Sequence, residues 1–184
     1  MRKLKLQVQM TIDGYIAGHD GEMDWTTINW DDELKKYVTE ITEPVDCIVL
    51  GRKLAQGFIP HWATNPEEEG AEKINNSRKV VFTKALNKSE WDNTVLAKGN
   101  LVDEITKLKK QDGKDIIAYG GATFVSALIK HGLIDEFHLF INPTAIGTGI
   151  TIFKELDSKQ NLKCVKSTSF DCGIVVLCYE PKRN

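Results

Sequence analysis

The sequence lacks most of what marks a membrane, metal or nucleic-acid protein. No apolar run reaches the roughly 18 residues that a membrane-spanning helix needs, and Met1 to Met10 alternates where a signal peptide would carry an apolar block. Charge of one sign is missing too: 24 basic residues face 26 acidic ones, a formal net charge of -2. That balance builds no field for nucleic acid or anionic lipid. Cys47, Cys164, Cys172 and Cys178 form no C-x-x-C pair and read as buried free thiols. His19, His61, His131 and His138 stand singly, without H-E-x-x-H, so no zinc or iron site is expected. The zinc-deaminase signature and the G-x-x-x-x-G-K-[ST] phosphate loop are also absent.

What remains is ordinary globular composition, 41% hydrophobic and 27% charged over 184 residues. One soluble, cytoplasmic domain covering residues 1–184 is expected.

Leu4, Leu6, Val8 and Met10 alternate with Lys5, Gln7 and Gln9, which predicts a strand with one face more polar than the other. Asp13-Gly14, Ala17-Gly18 and Asp20-Gly21 crowd turn signals together, making Thr11 to Trp30 a long excursion. Asp31 or Asp32 then caps a helix whose apolar face is Leu34, Tyr37, Val38 and Ile41, ending at Pro44. Asp46 to Leu50 reads as a strand, followed by Gly51-Arg52, a helical stretch through Phe58 and a solvated loop from Pro60 to Glu69. Further strands are expected at Lys79 to Thr83, Thr94 to Ala97, Asp115 to Tyr119 and Phe137 to Asn142. Helices are expected over Leu101 to Lys110 and from Gly121 to a left-handed Gly132. Asp135 and Glu136 read as a cap or as solvent-facing. Leu162 to Thr168 and Ile174 to Glu180 form a closing hairpin, and Pro181 to Asn184 a polar tail. This order implies an α/β fold, a mainly parallel central sheet flanked by helices with an antiparallel C-terminal edge.

In such sheets ligands bind beyond the carboxyl ends of the parallel strands. Gly51-Arg52 and Gly120-Gly121 each end a strand and open a helix, where free N–H groups suit a phosphate. Thr83-Lys84 offers a hydroxyl and an ammonium for a ribose 2′-phosphate, favouring NADP over NAD. Taken singly, a glycine after a strand is more often a plain turn, and Lys84 reads better as a solvated surface lysine. The loop from Pro143 to Gly149 fails the G-x-G-x-x-G spacing at Ile152. It is either a strand exit or a lining of the same crevice.

Asp13-Gly14-Tyr15-Ile16-Ala17-Gly18 with Asp24-Trp25, Leu50-Gly51-Arg52, Lys79 to Thr83, Gly120-Gly121-Ala122, Gly132 to Glu136 and Pro143 to Gly149 together resemble the dihydrofolate reductase-like superfamily. The pattern is most similar to the reductase domain of the bifunctional riboflavin-biosynthesis deaminase-reductase. The resemblance implies a dihydrofolate reductase-like fold, NADPH as hydride donor and a homodimer. It implies coenzyme contacts by Ile16, Ala17, Gly51, Arg52, Thr83, Lys84, Gly120, Gly121, Ala122 and Thr123, with Gly120 and Gly121 joined by a cis peptide. Trp25 and Asp13 are implied at the substrate. Asp13, Asp32 or Asp31 could supply the proton, although Asp31 and Asp32 also suit a helix cap. The pterin-binding carboxylate of folate reductases would fall on Trp30, which disfavours folate. The expected activity is hydride transfer from NADPH to a small heterocyclic or sugar-linked substrate such as 5-amino-6-(5-phosphoribosylamino)uracil. Alternatives are a dihydrofolate reductase and a non-catalytic NADPH sensor. No nucleic-acid or membrane partner is expected.

Overall fold

The computed structural model describes residues 1–182. In chain order its elements are β1 (Leu4–Thr11), α1 (Asp32–Thr42), β2 (Val45–Gly51), α2 (Arg52–Thr64), α3 (Ala71–Asn76), β3 (Arg78–Phe82), β4 (Thr94–Ala97), α4 (Leu101–Lys110), β5 (Asp115–Ala118), α5 (Ala122–Lys130), β6 (Glu136–Asn142), β7 (Leu162–Ser169) and β8 (Val175–Pro181). The strands make one sheet ordered β4-β3-β2-β5-β1-β6-β8-β7. Pairings among β1 to β6 are parallel, while β6 with β8 and β8 with β7 are antiparallel. This is the α/β sheet that the alternation of strand and helix patterns predicts.

Both faces of the sheet centre are covered, so even the polar face of β1 is buried. Leu4, Leu6, Val8 and Met10 join Cys47, Val49, Val80 and Ile116 in a core closed by Ile105 and Leu108 of α4 and Val125, Leu128 and Ile129 of α5. On the opposite face Ile48, Leu50, Val81 and Ile117 pack against Ala55 and Ile59 of α2. Leu34, Tyr37 and Ile41 of α1 cover Phe140 and Val176. Lys5, only 6% exposed, meets its desolvation cost by donating to the Ile41 carbonyl at 3.1 Å and pairing with Asp115 at 3.3 Å.

Three local expectations are corrected, and one helix was not expected. Helix α2 does not stop before Pro60 but runs through it to Thr64, because burial of Ala55 and Ile59 outweighs the one lost helix hydrogen bond. The short helix α3 occupies a stretch without helical periodicity, anchored by buried Ala71 and Ile74. Pro181 belongs to β8 and the Lys182 N–H donates to the Asn161 carbonyl at 2.9 Å. The remainder of the expected tail, Arg183 and Asn184, lies outside the described residues. Glu136 neither caps nor faces solvent: it opens β6 and accepts from His138 at 2.6 Å.

Candidate active site

The carboxyl ends of β2, β3, β4 and β5 share one edge of the sheet, and three helices begin there. Helices α2, α4 and α5 start at Arg52, Leu101 and Ala122. Between them lies a cavity of about 700 Å³, lined among others by Gly51, Arg52, Thr83, Lys84, Gly121 and Thr123. Helix starts carry free N–H groups and the positive end of the dipole. Their caps differ. Asn100 accepts from Val102 at 2.9 Å and caps α4, whereas Gly51 and Gly121 offer no side-chain cap to α2 and α5. The first amides of α2 and α5 therefore have no side-chain acceptor and suit an anion.

Glycine is required at both starts. A Cβ at Gly51 would come 2.8 Å from the Phe124 Cβ, so β2 and α5 can approach this closely only with glycine there. Gly121 sits at φ +81° and Gly120 at φ +118°, regions that disfavour a side chain. No cis peptide occurs among the described residues, so the Gly120–Gly121 bond is trans and that expectation is corrected.

Electrostatics around the cavity have one sign. Arg52, Lys53, Lys84 and Lys98 line it and no carboxylate does. The Thr83 hydroxyl oxygen accepts from the amides of Ala85 and Leu86, each at 3.1 Å, which leaves its own proton to donate. Phe82 and Phe124, 5.1 Å between ring centroids, supply an apolar wall.

Of the expected coenzyme residues, the structure brings Gly51, Arg52, Thr83, Lys84, Gly121, Ala122 and Thr123 to this cavity. Gly120 precedes it by one residue. Ile16 and Ala17 reach its rim indirectly: the Ile16 N–H donates to the Ile150 carbonyl and the Ile150 N–H to the Ala17 carbonyl, both at 2.8 Å, and Ile150 lines the cavity. Asp13, Trp25 and Asp32 do not line it. Asp32 is exposed in the first turn of α1, which Asp31 caps through Leu34 at 2.8 Å. The Asp31 carboxylate also accepts from Cys172 at 2.8 Å, and these amides hold it below the usual carboxylate range. The indole N–H of Trp25 is buried with no partner among the described residues.

Sequence reasoning missed Lys53, Lys98 and Asn100. The strand-then-helix pattern singled out at Gly51 and Gly120 recurs at Ala97 to Leu101, but without a glycine pair to mark it.

The geometry is that of an α/β domain with an anion-adapted cleft at the strand ends. The chain belongs to the RibD C-terminal domain family, whose model matches residues 2–176. It is 35% identical over 183 residues to YyaP of Bacillus subtilis (strain 168), covering 97% of this chain and 94% of that one. It is 27% identical over 158 residues to the riboflavin biosynthesis protein RibD of Corynebacterium ammoniagenes, covering 80% of this chain and 44% of that protein. A diaminohydroxyphosphoribosylaminopyrimidine deaminase/5-amino-6-(5-phosphoribosylamino)uracil reductase from Thermotoga maritima superposes with a TM-score of 0.73 at 20% identity, over 98% of this chain and 57% of that one. No helix among the described residues is long and apolar enough to cross a membrane.

Proposed function

We propose that this protein is an NADPH-dependent reductase that delivers hydride to an electrophilic carbon of a small heterocyclic or sugar-linked substrate. The observation that carries this reading is the pair of uncapped helix starts, α2 and α5, flanking a cavity with four cations and no carboxylate. Its volume lies within the range of small-molecule and cofactor sites, about 300–1,000 Å³. The family and the RibD relatives support a reductase.

In this reading the amides opening α2 and α5 hold the pyrophosphate, and the Arg52 side chain with Thr83, Lys84 and Lys98 selects the 2′-phosphate. NADPH, when bound, supplies the hydride. Ile16 and Ala17, tied to Ile150, form the wall at the reacting end and keep water away. Trp25 presents its unpaired indole N–H to a substrate acceptor, completing a buried donor that the protein leaves open. Asp13, held below the usual carboxylate range first by the Thr11 hydroxyl and then by backbone amides, positions this loop, and the product takes its proton through water. Substrate and coenzyme held in contact need little further ordering to react.

We further propose a homodimer formed through β7, an edge strand exposed along most of its length with Val165 53% exposed. Light scattering of Val165→Lys against wild type tests it: a shift to monomer supports it, and unchanged mass opposes it.

NADPH oxidation is measured with 5-amino-6-(5-phosphoribosylamino)uracil and, in parallel, dihydrofolate. Turnover of the first supports the proposal. Turnover of dihydrofolate alone refutes the sugar-linked substrate in favour of a folate, and NADPH binding without turnover of any heterocycle tried refutes the reductase.

A further inference from the structure

At the amino ends of the parallel strands, away from the coenzyme cavity, a second cluster of chemistry-bearing side chains is buried in the sheet. Glu136 and His138 alternate along β6 and point to one face. Cys178 of β8 is the register partner of His138 across the antiparallel pairing. A carboxylate oxygen, an imidazole nitrogen and the thiol sulfur all lie within 4.8 Å of one another. His138 is 2% and Cys178 7% exposed.

Each neighbour of this trio orients it. The Tyr37 hydroxyl lies 2.7 Å from His138 Nδ1; with Nε2–H donating to Glu136, Nδ1 accepts from Tyr37, and a metal at Nε2 would move the ring proton to Nδ1, which then donates to the Tyr37 oxygen. Lys3 Nζ holds Glu136 Oε2 at 3.2 Å and reaches Glu180 at 3.3 Å, while Glu136 Oε1 faces His138 Nε2 at 2.6 Å. On β1 the register partner of His138 is Gln7. It is 9% exposed and its amide oxygen is buried with no hydrogen-bond partner among the described residues. A buried unpaired oxygen on the residue in register with His138 is costly unless something completes it.

We propose that Glu136, His138 and Cys178 bind one zinc-class divalent cation, with Gln7 or a water it holds filling the fourth position. The donor set is one imidazole, one thiolate and one carboxylate, which suits zinc and argues against magnesium or calcium. In a tetrahedral site with metal–ligand lengths of about 2.0–2.3 Å, ligand atoms stand roughly 3.5 Å apart. Closing the trio therefore needs side-chain adjustment and no change of strand register. Binding replaces the Cys178 S–H by an S–metal bond and releases that proton to solvent. Lys3 stays on the outer carboxylate oxygen and Tyr37 on Nδ1, the outer-shell contacts that fix ligand orientation. With both ligand-bearing strands at the antiparallel edge, the ion would pin β6 to β8.

The test uses the full chain stripped with a chelator, then titrated with Co²⁺ as a spectroscopic probe and dialysed against Zn²⁺. One equivalent of each should bind, with a thiolate-to-cobalt charge-transfer band. Cys178→Ser should lose the band and weaken binding by at least about tenfold, while Cys164→Ser keeps both. Zinc-edge absorption on the wild type, which needs no variant, should show one sulfur at about 2.3 Å among nitrogen and oxygen scatterers. Substoichiometric zinc, the band retained in Cys178→Ser, or no sulfur scatterer overturns the proposal. NADPH binding is read separately, so either result leaves the coenzyme site independently testable.

Discussion

The Asp13 carboxylate accepts hydrogen bonds from the backbone N–H of Gly147 at 2.7 Å and of Ile146 at 3.1 Å. This ties the long loop after β1 to the loop after β6. Three residues on, Gly149 lies so close to that first loop that a Cβ there would come 2.3 Å from the Ala17 carbonyl oxygen. The carboxylate therefore latches the two loops together next to Ile150, which lines the cavity.

The latch has a pH signature. Thr11 and the two amides stabilise the charged form and lower the Asp13 pKa. A lowered carboxylate contributes stability that is fully present above its unfolded pKa and is lost as pH falls through its folded pKa. Thermal unfolding of wild type and Asp13→Asn is expected to differ at pH 7 and to converge in strong acid. A constant gap across that range contradicts the latch. Amide exchange at Gly147 should quicken in the variant at neutral pH.

Arg52→Ala should weaken NADPH more than NADH, by about tenfold in the ratio of dissociation constants, equivalent to ~1.4 kcal/mol. Titration calorimetry with both coenzymes reads the ratio. Equal losses remove Arg52 from 2′-phosphate discrimination. Because the charged residues lining the cavity are all cations, NADPH affinity should also fall as ionic strength rises.

Gly121→Ala forces a side chain into φ +81°, where the strain costs on the order of 1–2 kcal/mol. Its Cβ would meet Leu54 at 3.5 Å, an ordinary contact, so the cost lies in the backbone. A lower melting temperature together with weaker coenzyme binding is expected. Loss of stability with full affinity would show that the α5 start does not touch the phosphates.

Trp25→Phe keeps an aromatic side chain, smaller than the indole, and removes the unpaired N–H donor. In steady-state assays, substrate KM should rise or kcat fall with NADPH affinity unchanged. An unchanged profile would place Trp25 outside the substrate site.

The sheet was legible because continuous apolar runs such as Val80-Val81-Phe82 and Ile116 to Ala118 suit strands buried on both faces. Helix α3 was not, since its two buried residues, Ala71 and Ile74, are too few to set a period. The α2 extension was hidden because Pro60 signals a break that tertiary packing overrides. At the cavity, a glycine directly after an apolar strand betrayed Gly51 and Gly121, whereas Lys98 and Asn100 carried no such mark. The His138 cluster was invisible for a topological reason: Glu136, His138 and Cys178 meet only through the register of β6 and β8, which single-residue spacing cannot express.

The most direct measurement is a crystal structure of the protein soaked with NADPH. The account predicts pyrophosphate on the first amides of α2 and α5, at Arg52 and Ala122, with the 2′-phosphate beside Thr83, Lys84 and Lys98. Coenzyme density anywhere else, or an empty cavity at saturating NADPH, would contradict it.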